Sequence, residues 1–170
     1  ELIHIAHDLY RDEPFGVELS NTVYAFDSTT IDLCLSLFPW ATFRKQKAAV
    51  KLHTLLNLRG NIPSFLSITR GNVHDVKLLD ELPIEPGSVY VLDKAYVDFG
   101  RLHLFSQYLA YFVTRAKSNL RFNRLYSHPV DKSCGTRCDQ TIRLSGFYSA
   151  QQYPNTLRRI KHYDADTHRS

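Results

Sequence analysis

The chain has 170 residues, 44% of them apolar, and a net charge of +4, which is enough for a domain with a real core. No apolar run approaches the ~20 residues a membrane span needs, and the first ten residues lack the basic-then-apolar order of a signal peptide, so a membrane role is not expected. Three cysteines, Cys34, Cys134 and Cys138, are too few and too odd in number for a disulfide framework, which argues for a reduced, cytoplasmic setting.

Charge is unevenly spread. Residues 1–32 carry seven acids and one base, residues 33–79 seven bases and one acid, residues 80–114 five acids and two bases, and residues 115–170 eleven bases and four acids. Two acidic blocks alternate with two basic ones. A basic surface around an acidic centre suits a metal site that acts on a phosphodiester. The chain contains no Met, which points to a segment of a longer protein.

In chain order, the apolar pattern predicts a strand over about 22–27, then a turn at Asp27-Ser28-Thr29-Thr30 with a possible continuing strand. Residues 48–58 alternate, with Val50, Leu52, Thr54 and Leu56 on one face and Lys51, His53 and Asn57 on the other. After the turn signal Arg59-Gly60-Asn61, Ser64–Thr69 reads as a third strand, giving an antiparallel meander. Val73, Val76, Leu78, Leu79 and Leu82 fit a short helix closed by Pro83. Ser88–Leu92 is a continuous apolar run, the kind of strand buried on both faces. Leu102, Leu104, Phe105 and Leu109 suggest a second helix, and Tyr111–Thr114 a fifth strand. Three antiparallel strands followed by parallel strands with crossover helices make an α/β mixed sheet. Residues 119–139 read as a loop, with further strands possible at 140–144 and 157–162.

Asp27 and Asp93 each follow an apolar strand. Reactive groups of open α/β sheets gather at the carboxyl ends of strands. If the two strands are neighbours, the pair offers hard oxygen ligands for Mg²⁺ or Mn²⁺ rather than zinc. Two such ions can activate an attacking oxygen and stabilise the leaving one in phosphoryl transfer. Position alone also allows each Asp to cap a turn or helix, and from pattern alone that reading leads. Asn72 capping a helix that starts at His74 and Asp75 competes with His74 contacting a phosphate or water.

The segments VYAFDSTTIDLCL, AAVKLH, ITRGNVHDVKLLDEL, VYVLDKAYVDFGRL and YFVTRAKSN, in this order over about residues 20–120, resemble the IS4-type bacterial insertion-sequence transposases, of the DDE class. The resemblance implies one RNase H-like catalytic domain over 1–170, with Asp27 and Asp93 as the first two catalytic, metal-holding carboxylates, Mg²⁺ or Mn²⁺ as cofactor, and His74 and Tyr96 as supporting residues. It implies cleavage and strand transfer of double-stranded DNA at transposon ends and target, a homo-oligomer of the full-length protein, and a location with the bacterial nucleoid. The third family carboxylate is a Glu within a Tyr-x-x-Arg-x-x-x-Glu-type pattern. No Glu follows Glu85 here, so the domain is expected to be incomplete and inactive alone. A non-catalytic DNA-binding remnant and another RNase H-like nuclease are the rival readings.

Lys45, Lys47, Lys51, Lys94, Arg115, Lys117, Arg121 and Arg124 are candidates for phosphate contact, against the alternative of a solvated surface. Phe43, Phe122 and Tyr126, interleaved with them, could stack on bases or turn into the core. Cys134 and Cys138, with His128 and His162, have a spacing that zinc allows, but free thiols fit the irregular histidines better. Cys34 and Trp40 read as core residues.

Overall fold

A computed structural model describes residues 2–10, 16–34, 36–44 and 47–163, without the side chains of His4, His7, Thr42, Arg44 and Lys47. The chain forms two compact units, residues 1–116 and 117–170. The first contains α1 (Leu2–Leu9), β1 (Val23–Leu33), β2 (Thr42–Arg44), β3 (Lys47–Asn57), β4 (Ile62–Arg70), β5 (Val89–Leu92), α2 (Phe99–Gln107) and β6 (Tyr111–Thr114). The second contains β7 (Phe122–His128), β8 (Thr136–Leu144), α3 (Phe147–Gln152) and β9 (Thr156–His162).

The first unit is built on one mixed sheet in the order β2-β3-β1-β5-β6, with β4 also paired to β3. β1, β3 and β4 form the antiparallel meander. β5 runs parallel to β1, and β6 parallel to β5, with α2 in the crossover. This is the mixed sheet that the order of elements implied, consistent with the RNase H-like fold that the resemblance implied. Its aromatic core lies on one face. Tyr24 stacks on Tyr90, Phe26 packs on Tyr96 and His53, and Phe105 of α2 meets Tyr90 edge-on. Leu55, Leu92 and Leu102 are buried as well, each large apolar side chain contributing roughly 1.5–3 kcal/mol. The polar tips of the core tyrosines are satisfied at its border: Tyr24 Oη donates to Glu85 and Tyr90 Oη to Pro83 O, both at 2.8 Å. Ile31, Leu66, Ile68, Val91 and Val113, of the opposite parity, are exposed.

Several local expectations fail for identifiable reasons. No turn interrupts Asp27–Thr30. β1 is one strand of eleven residues, because Ser28–Leu33 pair with Ala48–His53 of β3 and ladder bonds override the turn-like composition. Of the two faces of β3, the one carrying Ala49, His53 and Leu55 is the more buried. The expected helix over 73–82 is a 3-10 segment, Asp75–Asp80. Gly71 N–H is tied to Ala49 O at 2.9 Å ahead of it, and Pro83 stands at the far end. Here Asn72 is no cap: His74 takes the N-cap position, with no side-chain capping bond. Cys34 is exposed just past β1, beside Ser36. Trp40 is 55% exposed and meets Phe38 edge-on.

The second unit is an antiparallel sheet, β7-β8-β9, with α3 between its last two strands. Ile142, Leu144 and Tyr153 are its buried apolar residues. β7 occupies part of the stretch expected to be a loop. Phe122 lies under the Arg159 guanidinium, and Tyr126 meets His128 edge-on. No helix among the described residues is long and apolar enough to cross a membrane.

Candidate metal-binding carboxylate site

The strand register brings the two aspartates together. Phe26 of β1 pairs with Leu92 of β5, and Asp27 and Asp93 are the next residues on strands ~4.8 Å apart. β5 ends there, while β1 continues beside β3. Asp27 is therefore exposed in mid-strand, opposite in parity to buried Phe26. Its Oδ1 accepts the N–H of Ser28 at 2.8 Å. Asp93 opens the 3-10 turn Lys94–Tyr96 without a side-chain capping bond, its side chain 36% exposed. Neither carboxylate is buried as a cap.

Arg115, one residue past β6, reaches Asp93. The pairing of Leu92 with Thr114 sets the two side by side. Arg115 Nε donates to Asp93 Oδ1 at 3.2 Å, and its Nη2 contacts the same oxygen. The guanidinium holds the Asp93 carboxyl below the usual carboxylate range.

Behind the aspartates, Tyr96 is 1% exposed. Burial pushes its hydroxyl up to about 12. The carboxylates of Asp75, Asp27 and Asp93 act in the same direction, and Ser28 acts against them. Asp75 is thus a third acid close to this edge, and it is neutralised. Lys51 Nζ donates to Asp75 Oδ1 and to Val73 O, each at 2.9 Å. His53, two residues along the same face of β3, is fully buried. Its Nε2 shares a hydrogen bond of 2.9 Å with Thr69 Oγ1, and burial lowers its pKa.

The remaining candidates scatter. Lys94 is exposed beside Asp93, and His74 is exposed ahead of Asp75. Lys51 is committed to Asp75. Lys45 and the side chain of Lys47 lie outside the described residues. Lys117, Arg121 and Arg124 are exposed in the second unit. Cys134 sits by Asp131 and Cys138 by Arg159, and no three His, Cys, Asp or Glu side chains among the described residues form a metal cluster. The Arg115–Asp93 and Lys51–Asp75 pairs were not anticipated. Each joins residues more than twenty positions apart, and only the sheet register relates them.

Two accessible carboxylates side by side are hard oxygen donors of the type that Mg²⁺ and Mn²⁺ prefer. A guanidinium already drawn to one of them shows that the edge attracts cations. The residues present therefore fit a divalent metal ion.

Residues 18–168 match the family described as "Transposase DDE domain". The chain is 31% identical over 147 residues to "Putative transposase y4zB" of Sinorhizobium fredii, an alignment covering 83% of this chain and 41% of that protein. It is 32% identical over 98 residues to "Probable transposase for insertion sequence element IS5377" of Geobacillus stearothermophilus, covering 58% of this chain and 26% of that protein. The chain thus spans less than half the length of these relatives. No solved structure matches it. With a family match over nearly its whole length, on a mixed sheet that sets two aspartates side by side, the chain belongs to the transposase DDE-domain family.

Proposed function

We propose that this chain carries the strand-cutting and strand-joining core of an IS4-type DNA transposase, with Asp27 and Asp93 as two of its metal ligands. The observation that supports this reading is the Phe26–Leu92 register, which makes the two exposed aspartates neighbours. Bound Mg²⁺ or Mn²⁺ would supply Lewis-acid stabilisation of the phosphodiester as an oxygen attacks in line.

The protein's own contribution is positional. Asp27 is held by a strand laddered on both sides, and Asp93 by the turn that follows β5. Tyr96, packed on Phe26, fixes the floor beneath them. Lys94 beside Asp93 is placed to neutralise a phosphate, and Lys117, Arg121 and Arg124 would follow the DNA backbone without reading sequence. The partners in this reading are transposon ends and target DNA, bound by a homo-oligomer of the full-length protein on the bacterial nucleoid.

Two carboxylates hold a pair of ions weakly, and no Glu follows Glu85 in this sequence. The 170-residue chain should therefore show no nicking or strand transfer with Mn²⁺. In a full-length transposase containing it, Asp27→Ala or Asp93→Ala should abolish excision. Excision that survives both changes would refute the assignment. Robust turnover by the chain alone, abolished by Asp27→Ala, would show that no further carboxylate is needed. The rival reading is a DNA-binding remnant. Full-length protein that binds DNA without cutting it would support that reading.

A further inference from the structure

The two aspartates are not equivalent. Among the described residues, Asp27 hydrogen-bonds to the backbone of its own neighbour, Ser28. Asp93 already holds a cation, because both Arg115 contacts land on its Oδ1. Arg115 sits on an exposed strand end, its side chain 75% accessible, so it has room to swing away. A divalent ion on Asp93 and a guanidinium on the same oxygen would compete for one lone-pair region and for one negative charge.

We propose that Arg115 is the resident counter-ion of Asp93, held in the place of the metal and displaced when the metal loads. Once displaced, the guanidinium is free to take a DNA phosphate, so a single residue serves the empty and the loaded site in turn. The pairing keeps Asp93 oriented before metal arrives, and it lowers the apparent metal affinity by the strength of one exposed ion pair. This inference rests on the reading of Asp93 as a metal ligand.

The test is Mn²⁺ binding by the purified chain, followed through the electron paramagnetic resonance signal of free Mn²⁺, without DNA. Arg115→Ala should bind Mn²⁺ about two- to fivefold more tightly than the wild type, the range expected for releasing an exposed ion pair. Arg115→Lys should fall between the two, because a point charge replaces a two-pronged donor. Arg59→Ala removes the same charge past the end of β3, where Asn57 pairs with Tyr24, and should leave affinity unchanged. Equal or weaker binding by Arg115→Ala would overturn the inference, as would an equal gain in Arg59→Ala, which would signal a general charge effect. Asp93→Ala separates the two claims. If it fails to weaken Mn²⁺ binding, both the metal reading and the counter-ion reading fall. If it weakens binding while Arg115→Ala changes nothing, only the counter-ion reading falls.

Discussion

The Lys51–Asp75 pair fastens the 3-10 segment 75–80 to the central strand β3, and its strength can be worked out. Lys51 Nζ lies 2.9 Å from Asp75 Oδ1, with the side chains 15% and 25% exposed. At that distance Coulomb attraction amounts to about 1.4 kcal/mol in bulk water and about 6 kcal/mol at an effective dielectric of 20. Desolvating both groups offsets most of the larger figure, whereas fully exposed pairs measure about 0–1 kcal/mol. The expected coupling is therefore about 1–2 kcal/mol in a double-mutant cycle of Lys51→Met with Asp75→Asn. Lys51→Met alone should cost more, about 2–3 kcal/mol, because it strands the carboxylate and leaves Val73 O without its donor. Urea unfolding followed by Trp40 fluorescence suits the measurement, since Trp40 is the only tryptophan and belongs to the first unit. A coupling below about 0.3 kcal/mol, within the range of independent sites, would refute the reasoning and make the pair a solvated contact.

Other consequences follow from single contacts. His53 is buried and its pKa is lowered, so the unfolded chain takes up a proton that the folded chain resists. Its contribution is fully present above the unfolded value of about 6.5 and is lost as pH falls below it toward the lower folded pKa. His53→Gln should remove that slope, and parallel stability curves for wild type and variant between pH 7.5 and 5 would contradict this. Asp98 caps α2 by accepting the Arg101 N–H at 3.0 Å. Asp98→Ala should cost about 1 kcal/mol and raise amide exchange in the first turn of α2, and unchanged exchange would contradict the cap. Replacing Arg121 and Arg124 with Ala should flatten the salt dependence of DNA binding by up to about 1.8 in log–log slope, two phosphates' worth. An unchanged slope would remove them from the interface.

The fold was legible where apolar runs left one choice. Val89–Leu92 and Tyr111–Thr114 were readable as strands, and their parallel pairing follows from α2 between them; but β5, expected to be buried on both faces, leaves Val91 exposed, and β6 closes the strand order with Tyr111 and Val113 exposed, because nothing among the described residues covers that face. The polar stretch Asp27–Thr30 misled because turn composition was visible while its β3 partner, more than twenty residues away, was not. β3 was ambiguous because both of its faces alternate plausibly: Val50, Leu52 and Leu56 outweigh Ala49 and Leu55 in bulk, yet the more buried face holds the alanine and a neutral histidine. β7 was hidden because FNRLYSH alternates without a strong apolar face. For the site, the position of each aspartate after an apolar strand was readable. The cations beside them were not, since Arg115 meets Asp93 only through the β5–β6 register, and Lys51 meets Asp75 only because the chain folds back after β4.

Whether Asp27 and Asp93 jointly hold divalent cations can be seen in crystals of this chain grown with Mn²⁺ and measured at the manganese absorption edge. An anomalous peak is expected between the two carboxylates, bonded to an oxygen of each, with the Arg115 guanidinium moved off Asp93. An anomalous peak elsewhere, or ordered Asp27 and Asp93 side chains turned away from each other with no peak between them, would contradict joint binding.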